Sequence, residues 1–159
     1  MNKRVILLFG IIMVSILVIL AYLIVKSSPE NQAEEACEEF FTYEQQGAFS
    51  KSWEMLHPIM KDKFAKDTYI QDRSEAIMNY FGVLYFTYSF GEVEKIKDWA
   101  PTTDAEPIPT VYRITVSQHF NGKYGNITIV QDVYMTEVEG EWSVLWDYKN
   151  VGESSHESE

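Results

Sequence analysis

The chain has 159 residues, of which 46% are apolar and 14% aromatic, and its formal net charge is −11. This length suffices for one modest domain with a real hydrophobic core, and the composition excludes a chain that is disordered throughout. The acidic balance disfavours nucleic acid and anionic lipid headgroups as partners.

The N-terminal segment is strongly apolar, with no charged residue at any of the 21 positions 5–25. As a helix it would extend roughly 31 Å at about 1.5 Å per residue, which matches a hydrocarbon core of about 30 Å. A cleaved secretory signal is the alternative, but its apolar region usually has about 7 to 15 residues and ends at small residues. Here bulky residues continue up to Lys26. We therefore expect an uncleaved transmembrane helix at 5–25 that contacts the lipid bilayer.

The charges that flank this span predict its orientation. Lys3 and Arg4 precede it, whereas the charged residues after Lys26 are predominantly acidic. Because positive flanks stay in the cytoplasm, we expect residues 1–4 there and a single-pass plasma-membrane protein whose C-terminal part is extracytoplasmic. That part holds all 24 acidic and 11 of the 13 basic residues, which gives it a net charge of −13. Such a charge keeps an exposed domain soluble.

Composition divides the outer part into a linker at 26–32, a domain at 33–150 and a disordered acidic tail at 151–159. The domain opens with a predicted helix that carries one apolar stripe and ends at Gly47. The stripe consists of Ala33, Ala36, Cys37, Phe40 and Phe41. Cys37 is the sole cysteine, so an internal disulfide is excluded. It is expected to be a buried apolar residue, although an intermolecular disulfide stays open.

Two further helical regions follow. Ser50 is the expected cap of a short helix, and Pro58 is expected to begin the next turn, because a residue before proline, here His57, is biased away from helical geometry. His57 could also serve as a base at a cavity rim, but Pro58 alone explains the junction, which favours the structural role. Thr68 begins a capping-box pattern, and apolar residues at helical spacing continue from there to Phe81.

The second half of the domain has the patterns of β-strands joined by turns. Asn121-Gly122 and Glu139-Gly140 predict tight turns, and the stretch 100–109 predicts a proline-bearing loop. Because tight turns join them, consecutive strands must be antiparallel. The predicted strands lie within 84–97 and at 112–120, 127–135 and 142–148.

Helices followed by an antiparallel meander predict an α+β domain, in which three helices pack on one face of a curved sheet of about four strands. Three stretches resemble one known family, the nuclear transport factor 2-like fold. They are FFTYEQQGAFSKSWEMLHPIMKDKF at 40–64, YIQDR at 69–73 and GEWSVLWDYKN at 140–150.

Within that fold, the chain resembles the N-terminal non-catalytic domain of resistance-type penicillin-binding proteins and small membrane-anchored Gram-positive relatives. The resemblance implies a cone-shaped domain in the bacterial cell envelope. Transpeptidase chemistry does not carry over, because no serine here has a lysine three residues on. A single span followed by such a domain is also similar in layout to membrane components of secretion and conjugation machines.

Some relatives with this fold, such as ketosteroid isomerases, use a tyrosine and two aspartates on the sheet face. That resemblance makes Asp132, Tyr134 and Asp147 weak catalytic candidates, with His119 as an acid or base. These side chains alternate with the Ile and Val rows, so they can equally face solvent. We expect no catalytic site and no cofactor. We also expect no metal site, since the three histidines lack ligand spacing.

Aromatic residues supply the candidates for ligand or partner binding, namely Trp99, Trp142, Trp146 and Tyr134. Their strand and helix spacing also fits an ordinary core, with Trp99 the expected exception because it adjoins the proline loop.

These observations together predict a non-catalytic, membrane-anchored extracytoplasmic module that binds an envelope protein or a small ligand. One alternative is a small pocket enzyme of isomerase or dehydratase type, and another is a structural subunit of an envelope or secretion assembly, which would form homo-oligomers. A closed cavity of roughly 300 Å³ or more with converging carboxylates would favour the enzyme. A pocket filled by aromatic rings would favour the interaction role.

Overall fold

The computed structural model describes residues 3–26, 28–76, 86–103, 105–122 and 125–148. The chain forms two compact units, Met1–Gln32 and Ala33–Glu159. The first unit contains helix α1, whose side chains are described at residues 9–20 and are exposed there. Over the described ranges, no helix combines the length and the apolarity that crossing a lipid bilayer requires.

The predicted α+β class is confirmed, with five helices and a four-stranded antiparallel sheet in the described part of the chain. The helices are α1 (Lys3–Lys26), α2 (Pro29–Gln45), α3 (Phe49–Glu54), α4 (Pro58–Lys63) and α5 (Lys66–Glu75). The strands are β1 (Thr87–Trp99), β2 (Ile108–Gly122), β3 (Gly125–Val138) and β4 (Glu141–Trp146).

Helix α2 begins earlier than predicted, because the segment at 29–32 is helical and not part of a linker. Ser28 accepts a hydrogen bond from the backbone N–H of Asn31 at 3.3 Å through its hydroxyl oxygen. Pro29 follows as the first helical residue, a position where its fixed φ and missing N–H carry no penalty. The predicted end is confirmed, since Gly47 adopts a φ of +70° and Ala48 donates to the carbonyl of Tyr43 at 2.8 Å.

Four of the five residues in the apolar stripe of α2 are buried and Ala36 is partly buried, and Cys37 has no exposed surface. Burial, with a smaller contribution from the charge of Glu34, raises the pKa of the Cys37 thiol to about 12. The thiolate, which is the reactive form of cysteine, is therefore disfavoured. Cys37 is a packing residue in this domain.

His57 and Pro58 separate α3 from α4 as predicted. His57 has extended backbone geometry and caps α4, because its Nδ1 atom accepts from the N–H of Ile59 at 3.2 Å. The other two predicted caps are wrong. Ser50 lies inside α3, which starts after Ala48, and Thr68 lies inside α5, which starts at Lys66.

The sheet is an antiparallel meander in the order β1-β2-β3-β4. The turn between β3 and β4 is the predicted one, with positive φ at Glu139 and Gly140. The other predicted turn is wrong, since Asn121 and Gly122 belong to β2 and pair with Asn126 and Gly125 of β3. A register shift between Phe90 and Val93 explains why the alternation along β1 is imperfect.

The junction between α3 and α4 covers the outer edge of the sheet. The carbonyl of Met55 accepts from the N–H of Val144 at 2.9 Å, and the N–H of His57 donates to the Val144 carbonyl at 3.0 Å. Leu56, between them, is 1% exposed. A sheet edge with unpaired backbone groups promotes aggregation, and this short parallel bridge protects β4 from it.

Several predicted features lie outside the described residues. They are the end of the third helical region at Phe81, the beginning of the first strand at 84–85, and the acidic tail at 151–159.

The cap at His57 makes the stability of the domain depend on pH. Burial and the charge of Lys61 lower the pKa of His57 below its ordinary value of 6.5, so the unfolded chain binds its proton more readily than the folded one. This stabilisation is complete above pH 6.5 and is lost as the pH falls below 6.5 through the lowered pKa of folded His57. In urea titrations from about pH 8 to 5, we therefore expect the contribution of His57 to the free energy of unfolding to stay constant above pH 6.5 and to decrease below it.

Two variants isolate this effect. His57→Asn retains a capping oxygen and does not titrate, so it should flatten this part of the pH profile. His57→Ala removes the cap and should lower the free energy of unfolding by about 1 kcal/mol at neutral pH. The wild type and both variants share the other histidines. If the free energy of unfolding of His57→Asn depends on pH as steeply as that of the wild type, His57 is not the group responsible.

Candidate functional site

A cavity of about 260 Å³ lies between the helices and the sheet of the second unit. Five aromatic rings, one of them the phenol ring of a tyrosine, form much of its wall, and three further polar side chains interrupt them. The lining residues are Phe40, Phe41, Phe64, Tyr69, Arg73, Gln118, Gln131, Val133 and Trp146. The cavity is therefore apolar with a few fixed polar groups, a composition that is common in small-molecule sites.

The local geometry of each element points these side chains inward. Tyr69 and Arg73 are four residues apart in α5 and so share one helix face. On the sheet, Gln131 pairs with Val116, and Val133 pairs with Trp146. Paired residues of an antiparallel sheet share a face, so these side chains lie on the face that the helices cover.

The carboxylate of Glu44 lies behind the cavity wall and is completely buried. Its Oε1 atom accepts from the Ser52 hydroxyl at 2.5 Å and from the Tyr69 hydroxyl at 2.9 Å. Its Oε2 atom accepts from Nε of Arg73 at 2.6 Å and also contacts the Nη2 atom of that residue. Four side chains from α2, α3 and α5 thus meet at one buried carboxylate, and we call them the Glu44 cluster.

The electrostatics of the Glu44 cluster fix the protonation states of its donors. Burial alone would lower the pKa of Arg73, but the charge of Glu44 and the hydrogen bonds raise it above its ordinary value. Burial and the same charge raise the pKa of Tyr69. At neutral pH the guanidinium is therefore a cation and Tyr69 is a neutral donor. The Arg73 side chain is 35% exposed, so part of it reaches the cavity surface.

Only one of the tryptophans predicted to bind a ligand or partner lines this cavity, and it is Trp146. Trp142 lies beside a shallow groove near the β3–β4 turn and packs edge-on against Tyr112. Trp99, the expected exception to the core, belongs to the core instead: the residue is 8% exposed, and its ring stacks on that of Tyr134 with 4.0 Å between the ring centroids. Pro101 is also fully buried, which places the start of the proline loop in the packed part of the domain.

The weak catalytic candidates do not meet in the cavity. Asp132 alternates with Gln131 and Val133, so it lies on the opposite face of the sheet, where it accepts from the Thr115 hydroxyl at 2.6 Å. Arg113 approaches the same carboxylate at 3.8 Å.

The remaining three candidates are also separate from the cavity. Tyr134 shares the face of Asp132 under the Trp99 ring, and His119 contacts Thr128 at 3.0 Å on that face. Asp147 is exposed just after β4. In the described residues, no group of three or more histidine, cysteine, aspartate or glutamate side chains is arranged to hold a metal ion.

Sequence reasoning missed the Glu44 cluster, although the sequence contains a signal for it. Glu44 follows Cys37, Phe40 and Phe41 at helical spacing, so a charged residue occupies the next position of a buried apolar stripe. A charge in such a position is rarely buried without a partner. Arg73 could have been considered as that partner.

Comparison with known proteins adds no assignment. No protein-family profile matches the sequence. No curated protein matches it either.

The Glu44 cluster should dominate the stability of the helical layer. Glu44→Leu leaves the Arg73 guanidinium without its counter-charge and should lower the free energy of unfolding by about 3 to 5 kcal/mol, the usual cost of breaking a buried pair. The double variant Glu44→Leu/Arg73→Met removes both charges and should be more stable than Glu44→Leu alone. Urea denaturation of the single and double variants measures both values.

Glu54 provides the matched control, because its exposed carboxylate pairs with Lys66 at the surface. Glu54→Gln should leave the free energy of unfolding almost unchanged, because solvent screens an ion pair at the surface. If Glu44→Leu and Glu54→Gln lower the free energy of unfolding by the same amount, the buried carboxylate has no special role in stability.

Proposed function

We propose that this protein is a non-catalytic binding module of the bacterial cell envelope, anchored in the plasma membrane with its C-terminal domain outside the cytoplasm. The observation that carries the proposal is the cavity of about 260 Å³ between helices and sheet. Its aromatic rings suit an apolar ligand or an inserted side chain of a partner protein. Its polar groups supply the few directional contacts that such sites use for orientation.

The order of the elements supports a nuclear transport factor 2-like fold for the domain. Four helices, α2 to α5, precede a four-stranded antiparallel meander, and the cavity lies between the two layers. The stretch at 69–73, which contributes to the resemblance, supplies two of the cavity residues, Tyr69 and Arg73. The resemblance thus includes residues of the proposed site.

The proposed anchor rests on the uncharged sequence at 5–25 and on the helical continuity of α1 from Lys3 to Lys26. Ten of the twelve residues at positions 9–20 of α1 have large, apolar and exposed side chains. A bilayer would cover such a surface, which is unfavourable in water. These residues are Phe9, Ile11, Ile12, Met13, Val14, Ile16, Leu17, Val18, Ile19 and Leu20.

The lining of the cavity favours binding over catalysis. A pocket enzyme with paired carboxylates needs an acid or base that faces its substrate. In the described lining, the polar residues are a tyrosine, an arginine and two glutamines. The carboxylate of Glu44, behind the cavity wall, already accepts hydrogen bonds from three side chains. Asp132 belongs to a separate polar network on the opposite face of the sheet.

Binding in the cavity can be measured on the full chain in lipid nanodiscs with 5-fluorotryptophan in place of tryptophan. We expect added phenol to shift the fluorine resonance of Trp146, which lines the cavity, because an aromatic solute would contact its ring. The resonance of Trp99 is an internal control, since this ring is packed against Tyr134 outside the cavity.

Val133→Trp provides the matched variant, because it fills the cavity with a larger ring at a lining position. It should abolish the shift of Trp146 while the protein stays folded. Equal shifts of Trp99 and Trp146, or a response that persists in Val133→Trp, would refute binding in the cavity.

The proposed orientation predicts that the domain is accessible from outside the cell. In intact cells of a Gram-positive host that express the full chain, added protease should degrade the acidic domain and leave a cytoplasmic marker protein intact. The domain offers basic cleavage sites such as Lys63, which is exposed. Protection in intact cells, with cleavage only after lysis, would contradict the proposed orientation.

A further inference from the structure

We infer that the cavity selects small neutral molecules with an aromatic or compact apolar body and an amide or carbonyl group, and that it rejects the corresponding carboxylates. This inference rests on the proposed binding function and specifies its ligand class. It is based on the volume of the cavity, the partners of its polar side chains and the position of one buried charge.

The volume limits the ligand to a single ring with a short substituent. A cavity of ~150 Å³ accommodates benzene, so a cavity of about 260 Å³ has room for about ten non-hydrogen atoms. The rings of Phe40, Phe41 and Trp146 line the space and favour a flat apolar body.

Gln118 is the strongest indication that a polar group belongs in this space. The residue is 5% exposed and lines the cavity, and its side-chain amide forms no hydrogen bond with any other residue in the described ranges. Every fully buried side-chain nitrogen or oxygen in those ranges has a partner, so the unbonded amide atoms of Gln118 are not fully buried and are accessible at the cavity surface. An amide left open to a cavity is satisfied best by a ligand that both donates and accepts hydrogen bonds.

Arg73 supplies further donors from the same cavity wall. A guanidinium has five N–H donors, and the described contacts with Glu44 use only the Nε and Nη2 atoms. The remaining donors can reach a carbonyl oxygen at the cavity surface, where 35% of the Arg73 side chain is exposed. A primary amide can therefore donate to Gln118 and accept from Arg73.

The position of Glu44 decides between a neutral ligand and an anion. Its buried carboxylate already compensates the positive charge of Arg73, so a ligand carboxylate would place a second anion beside one guanidinium. Repulsion between like charges is strong where water is excluded. A neutral carbonyl accepts the same hydrogen bonds without this repulsion. Many arginines attract carboxylates because their positive charge is uncompensated. At Arg73 this charge is already compensated by Glu44.

Benzamide and benzoate form a matched pair that differs in charge and has the size the cavity allows. With the fluorotryptophan protein in nanodiscs at neutral pH, we expect benzamide to shift the Trp146 resonance with a dissociation constant at least tenfold lower than that of benzoate. Gln118→Leu should weaken benzamide binding about tenfold, as expected for loss of a buried hydrogen bond. In Glu44→Gln, the uncompensated Arg73 should reverse the preference and favour benzoate.

These measurements test the ligand class separately from the proposed binding function. Equal or tighter binding of benzoate by the wild-type protein would overturn the inference, as would unchanged benzamide binding in Gln118→Leu. If phenol shifts the Trp146 resonance and benzamide does not, the ligand class is refuted and the binding function stands. If none of the three solutes shifts it, both are refuted. If Glu44→Gln does not fold, the affinities of the wild type and of Gln118→Leu for benzamide still test the ligand class.

Discussion

The buried carboxylate of Glu44 is the constraint on which the arrangement of the helices depends. A charge without solvent contact is tolerated only when donors saturate it. Here the donors are Ser52, Tyr69 and Arg73, which belong to two other helices. Short helices such as α3 have little stability of their own, so contacts of this kind, and not helical propensity, determine where they lie. One shared hydrogen-bonding centre therefore joins α2, α3 and α5.

The cavity has a physical origin in the same arrangement. A polar cluster cannot be packed against apolar side chains as closely as a purely apolar core, because its donors and acceptors require specific directions. Arg73 in addition places a long side chain between the helices and the sheet. Gln118 and Gln131 face it from β2 and β3, where shorter apolar residues would have completed the core. The aromatic rings around them form walls but do not fill the space between.

The sequence predicts the fold better than it predicts the site. Alternation along β2 and the Glu139-Gly140 turn predict the sheet correctly, because these signals are local and depend on backbone geometry. His57-Pro58 predicts a helix junction for the same reason. The prediction of a turn at Asn121-Gly122 is wrong, since the pairing of β2 with β3 continues through both residues to Gly125. The Glu44 cluster joins residues that are up to 29 positions apart in the chain, so local patterns do not reveal it. Trp99 likewise stacks on Tyr134 of β3, a contact between residues 35 positions apart that local patterns do not reveal.

The Glu44–Arg73 pair also has a consequence for how this domain can diverge over evolutionary time. Loss of Arg73 alone leaves a buried carboxylate without its counter-charge, and loss of Glu44 alone leaves an uncompensated guanidinium, whereas loss of both removes both charges. Descendants that keep the fold should thus retain the two residues together or exchange them together, through a short-lived and poorly stable intermediate. Positions 44 and 73 would then covary among related sequences, even though 28 residues separate them in the chain.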